Sequence, residues 1–128
     1  MIIGTGIDLA EPARLRRAGG RRGGRLLERL FTARERRDCE RLREPWPRYA
    51  TRLAAKEAFL KALGTGLRGG ISWQDMEVRN DDLGRPELHL SGRAAERAAA
   101  RGVTGIHLSL SDLNSLAAAV VVLEGVGP

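Results

Sequence analysis

From Arg48 to Leu63 the chain runs without a glycine or a proline and then meets Gly64-Thr65-Gly66. Such a run reads as one long helix that ends on a glycine turn. Pro45-Trp46-Pro47 stops whatever precedes it. On a helical wheel Tyr49, Leu53, Leu60 and Leu63 form one apolar stripe. Arg52 borders one edge of the stripe, and Glu57 and Lys61 border the other. In a chain of 128 residues, the length of a single domain, the remaining elements have this helix to pack against.

Ile2-Ile3-Gly4-Thr5-Gly6-Ile7-Asp8 reads as a buried strand, its glycines admitting close approach of another backbone. Glu11 to Arg17 starts a short helix with Pro12 in its first turn. Arg14 to Arg25 is basic and broken by glycines, so a frayed, exposed helix and loop is expected there, with helical character resuming from Leu26 to Leu30. Thr32 followed by Glu35 is a capping box that opens a helix to about Arg43. After a glycine-rich loop, Gly64 to Gly70, two strands, Trp73 to Arg79 and Glu87 to Leu90, form a hairpin around Asn80 to Pro86. Ser91 is placed to cap a helix from Gly92 to Arg101. Ile106 to Ser111 alternates like a half-buried strand. Leu116 to Glu124 is the last strand, paired antiparallel with it through Asp112 to Ser115. The order βαααββαββ predicts an α+β fold, a small antiparallel sheet packed against a long central helix and shorter helices.

Two Trp, two Phe and one Tyr leave the core to Leu, Val, Ile and Ala, and oligomerisation would help such a chain. A net charge of +6 steers it toward polyanions: nucleic acid, acidic lipid, a phosphorylated ligand or an acidic protein. The single cysteine, Cys39, allows no intrachain disulfide and fits a reducing compartment. No signal peptide is visible after Met1, and Leu116 to Leu123 is too short to span a bilayer. A soluble cytoplasmic protein is expected.

Several side chains bear on chemistry. Asp8 either caps the helix that starts at Glu11 or ends its strand, or serves as metal ligand or base; a strand-ending acid is well placed to meet the long helix. Glu57 and Lys61 share a helix face. As a solvent-exposed pair they would contribute only about 0.2–0.5 kcal/mol, whereas beside Asp8 they could hold a metal and a phosphate together. His107, Ser109 and Ser111 share one strand face, either packed at a sheet edge or lining a pocket in which His107 donates to a phosphate. His89 reads as a surface residue, and Asp112 as the start of the turn. The Gly64 to Gly66 loop is a helix stop that could expose amides to an anion. It lacks the Gly-Lys-Ser/Thr end of a nucleotide triphosphate cradle. The basic run from Arg14 to Arg29 is either a solvated face or a docking surface for an acidic partner. One cysteine and two distant histidines supply no zinc site.

Taken together these residues resemble the holo-acyl-carrier-protein synthase family of 4′-phosphopantetheinyl transferases. The anchors are Gly4-Thr5-Gly6-Ile7-Asp8 with Arg14, Phe31-Thr32 with Glu35, and Arg52-Leu53-Ala54-Ala55-Lys56-Glu57-Ala58 with Lys61-Ala62-Leu63-Gly64-Thr65-Gly66. Gly84-Arg85-Pro86 and His107-Leu108-Ser109-Leu110-Ser111 complete the set, which covers nearly the whole chain, 1–128, as one domain. The resemblance implies an enzyme that moves 4′-phosphopantetheine from coenzyme A to a serine of an apo acyl carrier protein and releases adenosine 3′,5′-bisphosphate. It implies a need for Mg²⁺ or Mn²⁺ held by Asp8 and Glu57, and a homotrimer with active sites between neighbouring subunits.

In that frame Asp8, Glu57 and Lys61 are the catalytic group, with Lys61 neutralising a phosphate oxygen. Glu57 takes the serine proton, directly or through a water on the metal. Arg52 and His107 hold the 3′-phosphate. Gly64, Thr65 and Gly66, with Gly84, Arg85, Pro86 and Ser109, line the coenzyme A pocket, in part from the neighbouring subunit. Arg14 and Arg21 dock the acidic carrier. Two departures stand out: Asp112 where many relatives carry histidine, and the Gly19-Gly20 and Gly23-Gly24 pairs, which put the end of the docking helix in question. The competing readings are a basic nucleic-acid-binding module and a non-catalytic relative that only binds coenzyme A or a carrier. Scarce aromatics for base stacking and the acids Asp8 and Glu57 in the inferred cleft speak against the first. Retention of Asp8, Glu57, Lys61 and His107 speaks against the second.

Overall fold

The long helix, α4 (Trp46–Leu63), forms the axis of the molecule. The structure, a computed structural model, describes residues 1–20 and 23–126. Chain order is β1 (Ile2–Ala10), α1 (Pro12–Gly20), α2 (Gly23–Leu30), α3 (Ala33–Glu40), α4, two short 3₁₀ turns at Arg68–Gly70 and Trp73–Asp75, β2 (Met76–Asn80), β3 (Pro86–Leu90), α5 (Gly92–Ala100), β4 (Val103–Asp112) and β5 (Ala117–Gly125). The α+β fold is as expected.

β1, β5 and β4 form a three-stranded antiparallel sheet with β5 in the centre, and β2 and β3 form a separate antiparallel hairpin. One face of the larger sheet lies on α4. Two glycines make that contact possible. A Cβ at Gly4 would overlap the carbonyl oxygen of Ala62, and one at Gly6 would overlap that of Ala58. Strand alternation then puts Asp8 on the same helix-facing side. Register places Asp8 beside Ala119 of β5 and, beyond it, Leu110 of β4. The opposite face carries exposed Ile7, Leu9 and Val120.

The apolar surface of α4 is wider than a single stripe. Ala50, Ala54, Ala55, Ala58, Phe59 and Ala62 are buried along with Tyr49, Leu60 and Leu63, while Leu53 is half-buried. A helix covered on nearly all sides needs small residues where a strand presses on it, and alanine fills that need here. Burying Phe59, Leu63 or Leu123 stabilises the core by about 1.5–3 kcal/mol each. A second cluster, Leu15, Leu30, Phe31, Cys39 and Tyr49, seats α1 to α3 against the start of α4.

Several local expectations shift. β1 runs on to Ala10, and the first hairpin strand begins at Met76, because Trp73–Asp75 is a 3₁₀ turn. The capping box of Thr32 and Glu35 is present, but α3 stops at Glu40. Ser91 makes no side-chain cap; instead Asp75 accepts from the Ala94 amide at 3.3 Å. α1 is not frayed at Gly19. The helix continues through it, with the Trp46 indole in ordinary contact alongside.

Candidate active site

Asp8 comes from the sheet and Glu57 and Lys61 from α4, and the Gly4–Gly6 contact brings them together. Lys61 Nζ donates to Asp8 Oδ1 at 2.6 Å and to the Ile7 carbonyl at 3.1 Å. Lys61 therefore gives its ammonium to Asp8, with no ion pair to Glu57 among the described residues. The Asp8 side chain is 10% exposed and that of Lys61 58%. The hydrogen bond to Asp8, and then its charge, hold the Lys61 pKa above the usual lysine range.

Asp8 Oδ2 is buried with no hydrogen-bond partner among the described residues. The Glu57 carboxyl lies beside it. Burial first, and then the neighbouring Asp8 carboxyl, push the Glu57 pKa up to about 7. Two carboxylates held together at this cost create a demand for positive charge beyond what Lys61 supplies. A hard divalent cation such as Mg²⁺ suits it, since Mg²⁺ takes one or two carboxylates and keeps waters. No third metal-binding side chain joins the pair among the described residues. The donor set and the unpaired Oδ2 thus fit such an ion.

Glu57 opens onto a cavity of about 690 Å³ walled by Leu26, Leu30, Leu53 and Leu116, with Arg14 at its border. Arg14 is exposed on α1. Arg21 lies outside the described residues.

A second cavity, about 540 Å³, gathers Arg52, Gly84, Arg85, Pro86 and Ser109 with Arg48 and Asn80. Arg52 is not an edge residue of the helix: its side chain is 5% exposed. It donates to Asp38 Oδ2 at 3.1 Å, Asn80 Oδ1 at 3.3 Å and Thr51 Oγ1 at 3.2 Å. Arg41 and Arg48 reach the same Asp38 carboxylate at 2.6 and 3.3 Å. Burial alone would raise the Asp38 pKa, but these guanidiniums outweigh it and hold it below the usual carboxylate range. Asp38 thus anchors Arg48 and Arg52 at the wall of this cavity, which Glu44 and Asp112 also line.

His107 stands apart from Arg52 within one chain. It projects from the sheet face away from α4, 3.1 Å from Glu124 Oε1, and lines a third cavity of about 870 Å³ together with His89. Arg85, Pro86 and Leu108 border both cavities. Gly64 closes α4 in the left-handed region, at φ 84°. Gly64, Thr65 and Gly66 follow Lys61 at the same helix end, and Arg101 donates to the Leu63 carbonyl at 2.5 Å.

The sequence reading missed one pair outright. Lys56 and Glu35 are fully buried and 2.6 Å apart. Burial lowers the Lys56 pKa, and Glu35 acts in the opposite direction. A signal was available: Lys56 lies seven residues from both Tyr49 and Leu63, hence on their buried face. Cys39 is no nucleophile, because burial pushes its thiol up to about 12.

Residues 4–121 match the family model of the 4′-phosphopantetheinyl transferase superfamily. The chain is 50% identical over 124 residues to the holo-[acyl-carrier-protein] synthase of Geotalea daltonii, covering 97% of this chain and 99% of the relative. Among solved structures it is similar to the holo-[acyl-carrier-protein] synthase of Neisseria meningitidis, with a TM-score of 0.89, 34% identity, and coverage of 97% and 99% of the two chains. A holo-(acyl-carrier-protein) synthase from Bacillus anthracis, in complex with CoA (3′,5′-ADP), matches with a TM-score of 0.80 and 38% identity, covering 98% and 99%.

Proposed function

The chain belongs to the 4′-phosphopantetheinyl transferase superfamily, and from that membership we propose how its residues carry out the transfer. It is a holo-[acyl-carrier-protein] synthase, moving 4′-phosphopantetheine from coenzyme A to a serine of an apo acyl carrier protein. The serine Oγ attacks the pyrophosphate phosphorus that bears pantetheine. The bond from that phosphorus to the bridging oxygen breaks, and adenosine 3′,5′-bisphosphate leaves with the electron pair. The serine proton would pass to Glu57, directly or through an intervening water.

Asp8 and Glu57 would hold Mg²⁺ or Mn²⁺. Such an ion offsets the negative charge of the pyrophosphate and of the departing phosphate. Lys61, tethered to Asp8 yet more than half exposed, is placed to meet a phosphate oxygen as a point charge. Gly64 to Gly66, beyond it, would offer main-chain amides. Arg52 would bind the 3′-phosphate from the cavity lined by Gly84, Arg85, Pro86 and Ser109. Arg14, beside the Glu57 cavity, would steer the acidic carrier; Arg21 is assigned with it on sequence grounds.

The catalytic carboxylates lie on the α4 side of the sheet, and His107 lies on the other side. A homotrimer resolves the separation. Exposed Ile7, Leu9 and Val120 give the outer sheet face an apolar surface suited to a second copy. In such an assembly the carboxylates of one copy would face His107 of the next. Buried Cys39 fits a reducing, cytoplasmic setting, and no helix among the described residues is long and apolar enough to cross a membrane.

The observation that carries this reading is the side-by-side placement of Asp8 and Glu57 with one buried carboxylate oxygen left open. Incubation with apo carrier, coenzyme A and Mg²⁺, followed by mass spectrometry of the carrier, tests it. A phosphopantetheine mass increase is expected; its absence on every carrier tried defeats the assignment.

A further inference from the structure

Lys56 has no part in the chemistry above, yet its ammonium is buried among three acceptors. It donates to the Leu30 carbonyl at 2.6 Å, to Glu35 Oε1 at 2.6 Å and to the Trp73 carbonyl at 3.2 Å. Glu35 completes the arrangement, accepting from the Thr32 amide at 2.9 Å and from the Val78 amide at 2.8 Å. A buried ion pair of this kind adds little net stability, because desolvation offsets the attraction. Its effect here is on placement.

The element it places is the end of α2. The last carbonyls of a helix find no partner within it. In α2 two of them, those of Glu28 and Leu30, are taken by side chains from elsewhere. Lys56 takes Leu30 O, while Gln74 Nε2 takes Glu28 O and, at 2.7 Å, Phe31 O. A cation also suits the negative end of a helix. α2 in turn supplies Leu26 and Leu30 to the cavity that Glu57 and Arg14 border. The residue that precedes Glu57 in α4 therefore grips the facing wall of that cavity.

We propose that Lys56 and Gln74 are positioning residues that hold the α2 wall of the Glu57–Arg14 cavity and thereby set its fit to the incoming carrier. The inference rests on the transferase reading. Neither residue touches a reacting group; each acts through a main-chain carbonyl of α2.

Gln74→Ala removes only the exposed half of the grip. Steady-state rates are measured with apo carrier varied at saturating coenzyme A, and then the reverse. Losing the hydrogen bonds should raise the carrier KM about fivefold and leave the coenzyme A KM unchanged. Lys56→Met combined with Glu35→Gln removes the buried half without stranding a charge, and should raise the carrier KM further in a chain whose circular dichroism matches the parent. An unchanged carrier KM in Gln74→Ala, or equal rises for both substrates, overturns the proposal, whether or not the double variant folds. Parent protein that transfers nothing would instead defeat the transferase reading itself, so the two failures are distinct.

Discussion

Lys61 Nζ sits 2.6 Å from Asp8 Oδ1, joining α4 to a strand residue far away in the sequence. One oxygen of Asp8 is thereby held and the other, Oδ2, is left open beside Glu57. A lysine that pins one carboxylate oxygen orients the second one toward whatever cation the pair admits.

Asp8→Asn removes a charge and a metal-binding oxygen while keeping the shape. Transfer should fall by about a hundredfold or more, with a matching loss of Mg²⁺ affinity by titration calorimetry. Glu57→Ala should behave likewise. Normal Mg²⁺ affinity in either variant would remove that residue from the metal site.

Mg²⁺ binding should weaken as pH falls. A Glu57 carboxyl with its pKa near 7 takes up a proton that competes with the ion. Below that value affinity should drop by up to about tenfold per pH unit, a trend that calorimetry at several pH values reads directly. Metal-free stability carries the matching sign. The folded pKa is raised above the ordinary 4.5, so the folded chain binds the proton more tightly than the unfolded one. That contribution to stability is full below 4.5 and is lost as pH rises toward 7. Glu57→Gln should flatten this slope in thermal melts.

Gly6→Ala places a methyl group on the Ala58 carbonyl oxygen. Backbone on both sides leaves no flexible neighbour to yield, so a loss of about 1–3 kcal/mol or more is expected, seen as a lowered Tm. The strand must also lift from α4, which carries Asp8 away from Glu57. Metal affinity should therefore fall in the fraction that remains folded. A parental Tm and parental Mg²⁺ binding would contradict the tight strand–helix contact.

Arg52→Gln tests the phosphate assignment. The KM for coenzyme A should rise about tenfold or more, while that for dephospho-coenzyme A, which lacks the 3′-phosphate, should change little. Equal effects on both donors would reduce Arg52 to its structural role beside Asp38 and Asn80.

Arg14→Glu reverses charge at the border of the Glu57 cavity. The carrier KM should increase and coenzyme A affinity should hold. Added salt should weaken the parent's carrier binding more than the variant's. Loss of affinity for both substrates would refute the docking role.

Much of the frame was legible in the chain itself. The α4 span and its glycine stop, the β1 glycines, the Thr32 cap and the alternation in β4 are written in residues within a turn or two of each other. Local propensity, capping and periodicity act over that range, so the sequence determines them. The narrow stripe drawn on α4 failed because alanines and an aliphatic lysine stem can be buried as readily as leucine, and only neighbours decide whether they are.

The ion-pair partners belonged to the tertiary structure. Lys61 chose Asp8 over Glu57 one turn before it in α4, Lys56 found Glu35 in α3, and Arg52 settled on Asp38 behind a cavity. A charge's partner depends on which groups lose their water together, and that follows from how β1 and α1 to α3 close on α4. The same closure set His107 on the far face of the sheet from Asp8. The sequence by itself specified the parts and the charged residues they carry; packing alone decided which charges share a desolvated space, and hence where the chemistry resides.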